Sequence, residues 1–187
     1  MKNKSALHLS VMGLLIAVGI VIPMFSPIKI VLEPASFTLA SHVAIFIAMY
    51  LSPAMAAAVA VGTTAGFFLG GFPIVIVARA ATHLIFSTCG AYYLYKTDRT
   101  KLTGISLRVF SLLVGLVHGL SEILVVSLFF YDGNMGAAYY QKGYLVSVLL
   151  LVGLGTVAHS MIDFEIAHVV VLALQNQRGF QKLTNKA

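Results

Sequence analysis

Long apolar runs, separated by proline and glycine, fill most of this chain of 187 residues. Hydrophobic residues occupy 59% of the positions and charged residues only 10%, whereas soluble domains carry about 25% charged residues. We therefore predict an integral membrane protein. Because a helical span needs about 20 apolar residues, the length allows about six spans and leaves no room for a soluble catalytic domain.

The proline and glycine residues divide the apolar runs into predicted transmembrane helices. These helices cover residues 6–25, 36–51, 54–70, 73–95, 105–131 and 156–175. Residues 144–152 form a further apolar segment, which we interpret as a short or re-entrant helix because Gly153 and Gly155 interrupt its run. The predicted fold class is an all-α integral membrane bundle of six transmembrane helices, in a single membrane domain over residues 1–187.

Basic residues are unequally distributed between the two ends of the predicted helices. Nine fall on one side: Lys2, Lys4, Lys96, Arg99, Lys101, Arg108, Arg178, Lys182 and Lys186. Lys29 and Lys142 fall on the other side. Because basic residues favour the cytoplasmic side, we predict a multi-pass protein of the cell membrane with both termini cytoplasmic. This asymmetry accounts for most of the net charge of +6, and a basic domain for nucleic acid is absent from the sequence.

Small residues recur at every fourth position of the predicted third helix: Ala54, Ala58, Gly62, Gly66 and Gly70. Such a stripe lets another backbone approach closely. Packing within this chain is the favoured explanation for it, and a partner surface is the alternative. Gly13 and Ala17 form a second pair on the predicted first helix, where the two explanations stand equal.

Ionisable side chains also fall inside predicted spans, where a central charge costs about 2.5–3.5 kcal/mol. They are Arg79, His83, His118, Glu122, His159, Asp163, Glu165 and His168. Such groups must pair with one another, line a wet cavity, or do both. Glu165 and His168 lie on the face opposite His159 and Asp163, and we predict that they form an interhelical hydrogen-bond pair.

Four of these side chains, from three helices, lie at a similar predicted depth below the outer boundary: Arg79, Glu122, His159 and Asp163. We therefore predict a pocket that opens outward. His83 shares a helix face with Arg79, and His118 shares one with Glu122. The alternative is a structural cluster in which Arg79 pairs with Asp163 or Glu122, and an ion pair of that kind can itself form a pocket wall.

Other chemistries are poorly supported by the sequence. The chain has no GxxxxGK[ST] loop for ATP hydrolysis and no HExxH motif, so we predict that it is not an enzyme. Its single cysteine, Cys89, excludes an internal disulfide and a cysteine-based zinc site. Histidine ligation of a metal stays open as an alternative, because a sequence cannot show that imidazoles converge. Our expectation is no cofactor and no metal.

The stretch IPMFSPIKIVLEPASFTLASHVAIFIAMYLSP (residues 22–53), followed by GFPIVIVARAATH (residues 71–83), resembles the niacin-type S components of energy-coupling factor (ECF) transporters. The resemblance runs through most of the chain. It implies capture of a vitamin, here nicotinate, near the outer face, and release through a transmembrane coupling subunit driven by two cytoplasmic ATPases. The alternatives are an S component for another small vitamin or precursor, and a membrane interaction or regulatory protein whose polar cluster is structural.

The resemblance also assigns roles to particular segments. Residues 25–39 become a lid over the site. Gly13 and Ala17 correspond to the small-residue motif that contacts the coupling subunit. The chain begins Met-Lys, which is unlike the Met-His start of the nickel and cobalt members.

The predicted pocket fits a small aromatic acid. Arg79 is suited to bind the carboxylate through two hydrogen bonds, and His159 or Asp163 to meet the ring nitrogen. The remaining predicted contacts come from the lid, the neighbouring helices and the outer segment: Phe37, His42, His83, His118, Glu122, Tyr139 and Tyr140.

Overall fold

The computed structural model describes residues 2–32, 35–97 and 102–184. Its helices are α1 (Lys2–Phe25), α2 (Val43–Leu51), α3 (Pro53–Leu69), α4 (Ile74–Lys96), α5 (Gly104–Tyr131), α6 (Ala137–Gln141), α7 (Gly155–Leu174) and α8 (Arg178–Thr184). A π-helix over Leu145–Leu154 precedes α7, and two strands, β1 (Lys29–Leu32) and β2 (Ala35–Thr38), connect α1 to α2.

Several of these helices have the length and composition of membrane spans. Within the described ranges, four stretches are long and apolar enough to cross a bilayer: Ser5–Phe25, Ile74–Lys96, Gly104–Tyr131 and Leu145–Leu174. The apolar helix Pro53–Leu69 is shorter. The chain is therefore a mostly helical membrane protein, as predicted.

Helix α2 is the centre of the bundle. Eight of its nine residues are buried, and it packs against α1, α3, α4 and α7. At about 1.5 Å per residue it is roughly 13 Å long, less than half the thickness of the hydrocarbon core. Val43 and Ala44, at its N-terminal end, are both buried, so α2 begins inside the bundle and not at its surface.

The connection from α1 to α2 is a β-hairpin. Strands β1 and β2 pair antiparallel, with Lys29 opposite Thr38 and Leu32 opposite Ala35. The predicted second helix over 36–51 is therefore shorter than expected, because residues 35–38 pair with β1 and a turn over 39–42 precedes Val43. Ala40 in that turn has a φ of 67°, in the left-handed region that non-glycine residues rarely adopt. The predicted lid over 25–39 corresponds to this hairpin, apart from residues 33–34, which lie outside the described ranges.

The small-residue stripe of α3 packs against α1. A Cβ atom added at Gly62 would lie 2.5 Å from the side chain of Ile16, and one at Gly66 would collide with Ile20. The two helices approach closely because these positions carry no side chain. Close packing within this chain, the favoured explanation, accounts for these two glycines.

The segment before α7 differs from its prediction. We expected a short or re-entrant helix over 144–152 and a new helix from 156, but Leu145–Leu174 forms one apolar helical stretch of 30 residues. Gly153 does not break it. A Cβ at Gly153 would lie 2.6 Å from the side chain of Ile123, and a Cβ at Gly119 would lie 2.9 Å from the carbonyl oxygen of Gly153. These glycines therefore permit close packing between α5 and the π-helix.

Candidate functional site

A cavity of about 170 Å³ lies beneath the β1–β2 hairpin. Its wall includes residues of α1, α2, α3, α4, α5 and α7 as well as the hairpin. The polar and charged side chains in that wall are Lys29, Thr38, Ser41, His42, Thr63, Arg79, His83, Glu122, Thr156 and His159. Pockets for drug-sized molecules are about 300–1,000 Å³, so this cavity suits a smaller molecule such as a single substituted ring.

Arg79 and Glu122 form a buried ion pair at the edge of the cavity. The Nη2 atom of Arg79 lies 2.9 Å from Oε2 of Glu122, and the Thr156 hydroxyl donates to the same oxygen at 2.6 Å. Of the two pairings considered from the sequence, Arg79 with Glu122 is the one found. The Nε atom of Arg79 is buried and has no hydrogen-bond partner in the described part of the chain. Since a guanidinium has five N–H donors, Arg79 keeps donor capacity beyond its bond to Glu122.

Asp163 has a different role from Glu122. It is fully buried and does not line the cavity. Its Oδ1 accepts a hydrogen bond from the Ala40 amide at 2.7 Å, and its Oδ2 accepts one from the His42 amide at 2.9 Å. Asp163 therefore holds the strained turn over 39–42 against α7, and fixes the point at which α2 begins.

Four histidines converge between these two carboxylates. The ring centroid of His42 lies 4.8 Å from that of His83, 4.8 Å from that of His118 and 5.1 Å from that of His159. His42, His83 and His159 line the cavity, whereas His118 is fully buried behind its wall. Arg79, Glu122, Asp163 and the four histidines therefore form one continuous group, with His42 at its centre.

The aromatic walls of the cavity come partly from predicted residues. Phe37 on β2 lies over His159, with ring centroids 5.5 Å apart. Phe67 and Phe72, which the sequence reasoning missed, stack on each other at 4.7 Å and also line the cavity. Phe67 lies in the last turn of α3 and Phe72 follows Gly70 and Gly71, positions that carry no local signal for a binding site.

Tyr139 and Tyr140 lie outside the cavity wall. The hydroxyl of Tyr140 donates a hydrogen bond of 3.1 Å to the carbonyl of Phe130, which gives this carbonyl in the last turn of α5 a partner. Tyr139 packs against the apolar cluster around Val148, and burial raises the pKa of its phenol above the ordinary value. Both tyrosines thus brace the segment that leads from α5 into the π-helix.

Five polar wall residues were not predicted: Lys29, Thr38, Ser41, Thr63 and Thr156. Lys29 is exposed on β1 and lines the cavity, and from the sequence it was predicted only to lie on the outer side. Thr156 follows Gly155 at the start of α7 and had no charged neighbour in sequence to draw attention to it. The available signal for Lys29 was its position inside the segment that resembles a lid.

Glu165 and His168 do not bond to each other. Glu165 Oε1 lies 3.1 Å from Nη1 of Arg108 on α5, and His168 Nδ1 lies 3.0 Å from the Tyr50 hydroxyl on α2. Both side chains make interhelical contacts on the face away from the cavity. The predicted interhelical contacts are found, and each of the two side chains has its own partner.

Gly13 and Ala17 are both exposed on α1. A Cβ atom added at Gly13 would have no neighbour within 4 Å in the described structure. Packing within this chain therefore does not account for Gly13, whereas it does account for the glycines of α3. This face of α1 is open to lipid or to another protein.

The chain is 41% identical over 166 residues to the niacin transporter NiaX of Lactococcus lactis subsp. cremoris (strain MG1363). That alignment covers 89% of this chain and 73% of the relative. Searches against protein-family models and solved structures give no match. The relative is a transporter and not an enzyme, in agreement with the resemblance noted in residues 22–53 and 71–83. On this similarity, the chain belongs to the family of NiaX, the niacin-type S components of ECF transporters.

Proposed function

We propose that this chain captures nicotinate in the cavity beneath the β1–β2 hairpin and serves as the substrate-binding subunit of an ECF vitamin transporter. The observation that carries the proposal is the guanidinium of Arg79. It lines a partly open cavity of single-ring size and has a buried Nε without a protein partner in the described ranges. The name of the relative, a niacin transporter, agrees with a ligand of this size.

The charges around the cavity favour an anion. Arg79 is balanced by Glu122 at 2.9 Å, and Asp163 is held by His42 and two backbone amides. Lys29 at the edge then adds a positive charge that neither carboxylate balances at ion-pair distance among the described contacts. A carboxylate between Arg79 and Lys29 would gain charge-assisted hydrogen bonds, which are stronger than neutral ones.

The aromatic ring of the ligand would lie between Phe37 and the Phe67–Phe72 pair. Its nitrogen is assigned to His159 or to Ser41, whose Oγ lies 3.0 Å from His159 Nε2. Asp163 is no longer a candidate for that contact because it is fully buried and does not line the cavity. Nicotinate has only about nine heavy atoms, but about 1.5 kcal/mol per atom still permits nanomolar affinity.

We propose six membrane crossings with both termini in the cytoplasm. The hairpin, the turn and α2 together make the second crossing, and the shorter α3 makes the third. The unequal distribution of basic residues supports this orientation, which directs the hairpin and the cavity to the outside. A ligand would then enter from outside the cell, past the hairpin.

The proposal includes a transmembrane coupling subunit and two cytoplasmic ATPases as partners. The exposed face of α1 around Gly13 and Ala17 is the surface proposed for the coupling subunit. The small residues at these positions allow another helix to approach closely. The sequence contains no GxxxxGK[ST] loop, and the proposal assigns the energy for release to the two ATPases.

Equilibrium binding of labelled nicotinate to the purified protein tests the proposal. The chain has no tryptophan, so a labelled ligand is preferable to quenching of intrinsic fluorescence. We expect saturable binding of one nicotinate per chain, with nicotinamide a weaker competitor and thiamine and folate inactive. Binding of thiamine or folate instead would support an S component for another vitamin. Absence of binding to all of these compounds would support a purely structural polar cluster.

A further inference from the structure

We propose that His42, His83 and His118 form a binding site for one divalent transition-metal ion, of the zinc or cobalt type, at the floor of the cavity. The three side chains come from the turn before α2, from α4 and from α5. One ring nitrogen from each can be chosen so that all three lie within 4.8 Å of one another. Neutral imidazole nitrogen is a ligand that zinc, cobalt, nickel and copper accept and that magnesium and calcium do not prefer.

Two of the three rings are already oriented as metal ligands. Nδ1 of His42 lies 3.1 Å from Asp163 Oδ2, which leaves Nε2 for a metal. Nδ1 of His118 lies 3.3 Å from the Ser160 hydroxyl, which again leaves Nε2. A ligating histidine usually donates its other N–H to a carboxylate or similar acceptor, which fixes the tautomer and the ring orientation.

His118 supplies the observation that points most directly to an absent ligand. Its side chain is fully buried, and its Nε2 has no hydrogen-bond partner in the described part of the protein. The nearest acceptor, Oε1 of Glu122, lies 3.5 Å away. An unsatisfied buried polar atom is destabilising, and a metal bond to Nε2 would remove that cost.

The spacing of the cluster is wider than that of a bound tetrahedral zinc. Zinc–nitrogen bonds of about 2.0–2.1 Å place tetrahedral ligand atoms roughly 3.4 Å apart. The rings must therefore move inward by about an ångström when the ion binds. Glu122 Oε1, 3.8 Å from His83 Nε2, is close enough to offset the charge of the ion, while Arg79 stays on the other oxygen of the same carboxylate.

A second group, His42, His159 and Asp163, also has donor atoms within 4.8 Å of one another. It is less suited to a metal because the Asp163 oxygens accept the amides of Ala40 and His42 at 2.7 and 2.9 Å. A metal on Asp163 would compete with those bonds, which hold the strained turn. We therefore assign the ion to the group that contains His83 and His118.

Metal counting on the full chain, purified without a polyhistidine tag, tests this proposal. The protein is stripped with a chelator, loaded with Co²⁺ or Zn²⁺ and desalted, and bound metal is measured by mass spectrometry. We expect one ion per chain, and visible absorption of tetrahedral Co²⁺. His83→Gln and His118→Gln should each weaken metal binding by at least about 100-fold. This exceeds the 10- to 100-fold loss usual for outer-shell changes, because each removes a direct ligand.

His8→Gln and His159→Gln are the matched controls. His8 lies on α1, eleven residues before Gly19 in the cavity wall, or about 16 Å along the helix. Both control variants should keep one ion per chain. Loss of the metal in His159→Gln with retention in His118→Gln would overturn the assignment in favour of the other group. No metal in the wild type, or equal loss in every variant, would overturn the proposal altogether.

X-ray absorption of the Co²⁺-loaded wild type covers the case in which a histidine variant does not fold. Three imidazole ligands are expected, and fewer than three would contradict the proposal. Nicotinate binding by the metal-free protein is measured in parallel. Nicotinate binding without any metal uptake would reject the metal site and leave the proposed function in place.

Discussion

Asp163 on α7 holds His42 by two contacts. Asp163 Oδ2 lies 2.9 Å from the His42 amide nitrogen and 3.1 Å from His42 Nδ1. The same carboxylate accepts a hydrogen bond of 2.7 Å from the amide of Ala40. The φ of Ala40, 67°, is unfavourable for alanine. One buried side chain therefore fixes the backbone turn between the hairpin and α2. The position of the cavity wall depends on this link.

Asp163→Asn should lower the free energy of unfolding by about 1–3 kcal/mol, because the amide NH₂ cannot accept the hydrogen bonds that one carboxylate oxygen accepts now. Thermal or denaturant unfolding of the purified protein measures the change. Asp132→Asn, in the exposed turn after α5, is the control and should shift stability by less than about 0.5 kcal/mol. Equal stability of the Asp163→Asn variant and the wild type would contradict the anchoring role.

Gly155→Ala should speed the release of nicotinate. A Cβ at this position would lie 2.5 Å from Cζ of Phe37, so the ring must move away from α7. Overpacking of this kind costs about 1–3 kcal/mol, and we expect roughly a tenfold faster dissociation of labelled nicotinate.

Gly136→Ala is the control for that experiment, since an added Cβ there would have no neighbour within 4 Å in the described structure. The helix itself should not suffer in the Gly155→Ala variant, because alanine favours helix over glycine. An unchanged dissociation rate with unchanged stability would show that contact between Phe37 and Gly155 does not retain the ligand.

Gly13→Leu and Ala17→Leu should each leave nicotinate binding intact and abolish uptake by cells. Both positions are exposed on α1, where a leucine would block close approach of the coupling subunit. Ala173→Leu, an exposed alanine on α7, is the matched control and should support normal uptake. Normal uptake by the Gly13→Leu and Ala17→Leu variants would contradict the proposed docking surface.

Arg79→Gln alone should destabilise the protein more than the double variant Arg79→Gln/Glu122→Gln. The single change leaves a buried carboxylate without its cation, which costs about 3–5 kcal/mol, whereas removal of both charges is often close to neutral. Unfolding of both variants under the same detergent conditions gives the comparison. Equal destabilisation would show that Arg79 is not the main partner of Glu122.

The sequence was sufficient to predict the membrane class, the polar group and its family resemblance. Charged residues in apolar runs have few acceptable environments, so Arg79, Glu122 and the histidines could be placed together from depth and helix periodicity. Predicted depth alone, however, could not distinguish Glu122 from Asp163 as the partner of Arg79. Which of them pairs with Arg79 depends on the rotation of each helix, and that is set by packing at glycines such as Gly119 and Gly153.

The hairpin and the cavity wall were harder to predict. No proline or glycine separates residues 36–42 from α2, so the sequence alone allowed a continuous helix. Pairing with β1 and the bonds to Asp163 hold this segment in another conformation. Phe72 reaches the cavity from the turn after α3, where it stacks on Phe67 of that helix, and a periodicity argument does not describe this turn. The continuity of the π-helix with α7 was missed because glycine was treated as a breaker, where it permits close packing with α5.

The nicotinate affinity of the Arg79→Gln/Glu122→Gln double variant, compared with that of the wild type, tests the central claim most directly. Neutralising both partners keeps the buried charge balanced, so a change in affinity reports on the ligand carboxylate and not on loss of the fold. Hydrogen bonds to charged groups contribute about 1.5–3 kcal/mol, so we expect affinity for nicotinate to fall by roughly 10- to 100-fold. Affinity for neutral nicotinamide should change by only a few-fold. Unchanged affinity for nicotinate in a folded double variant would contradict the account.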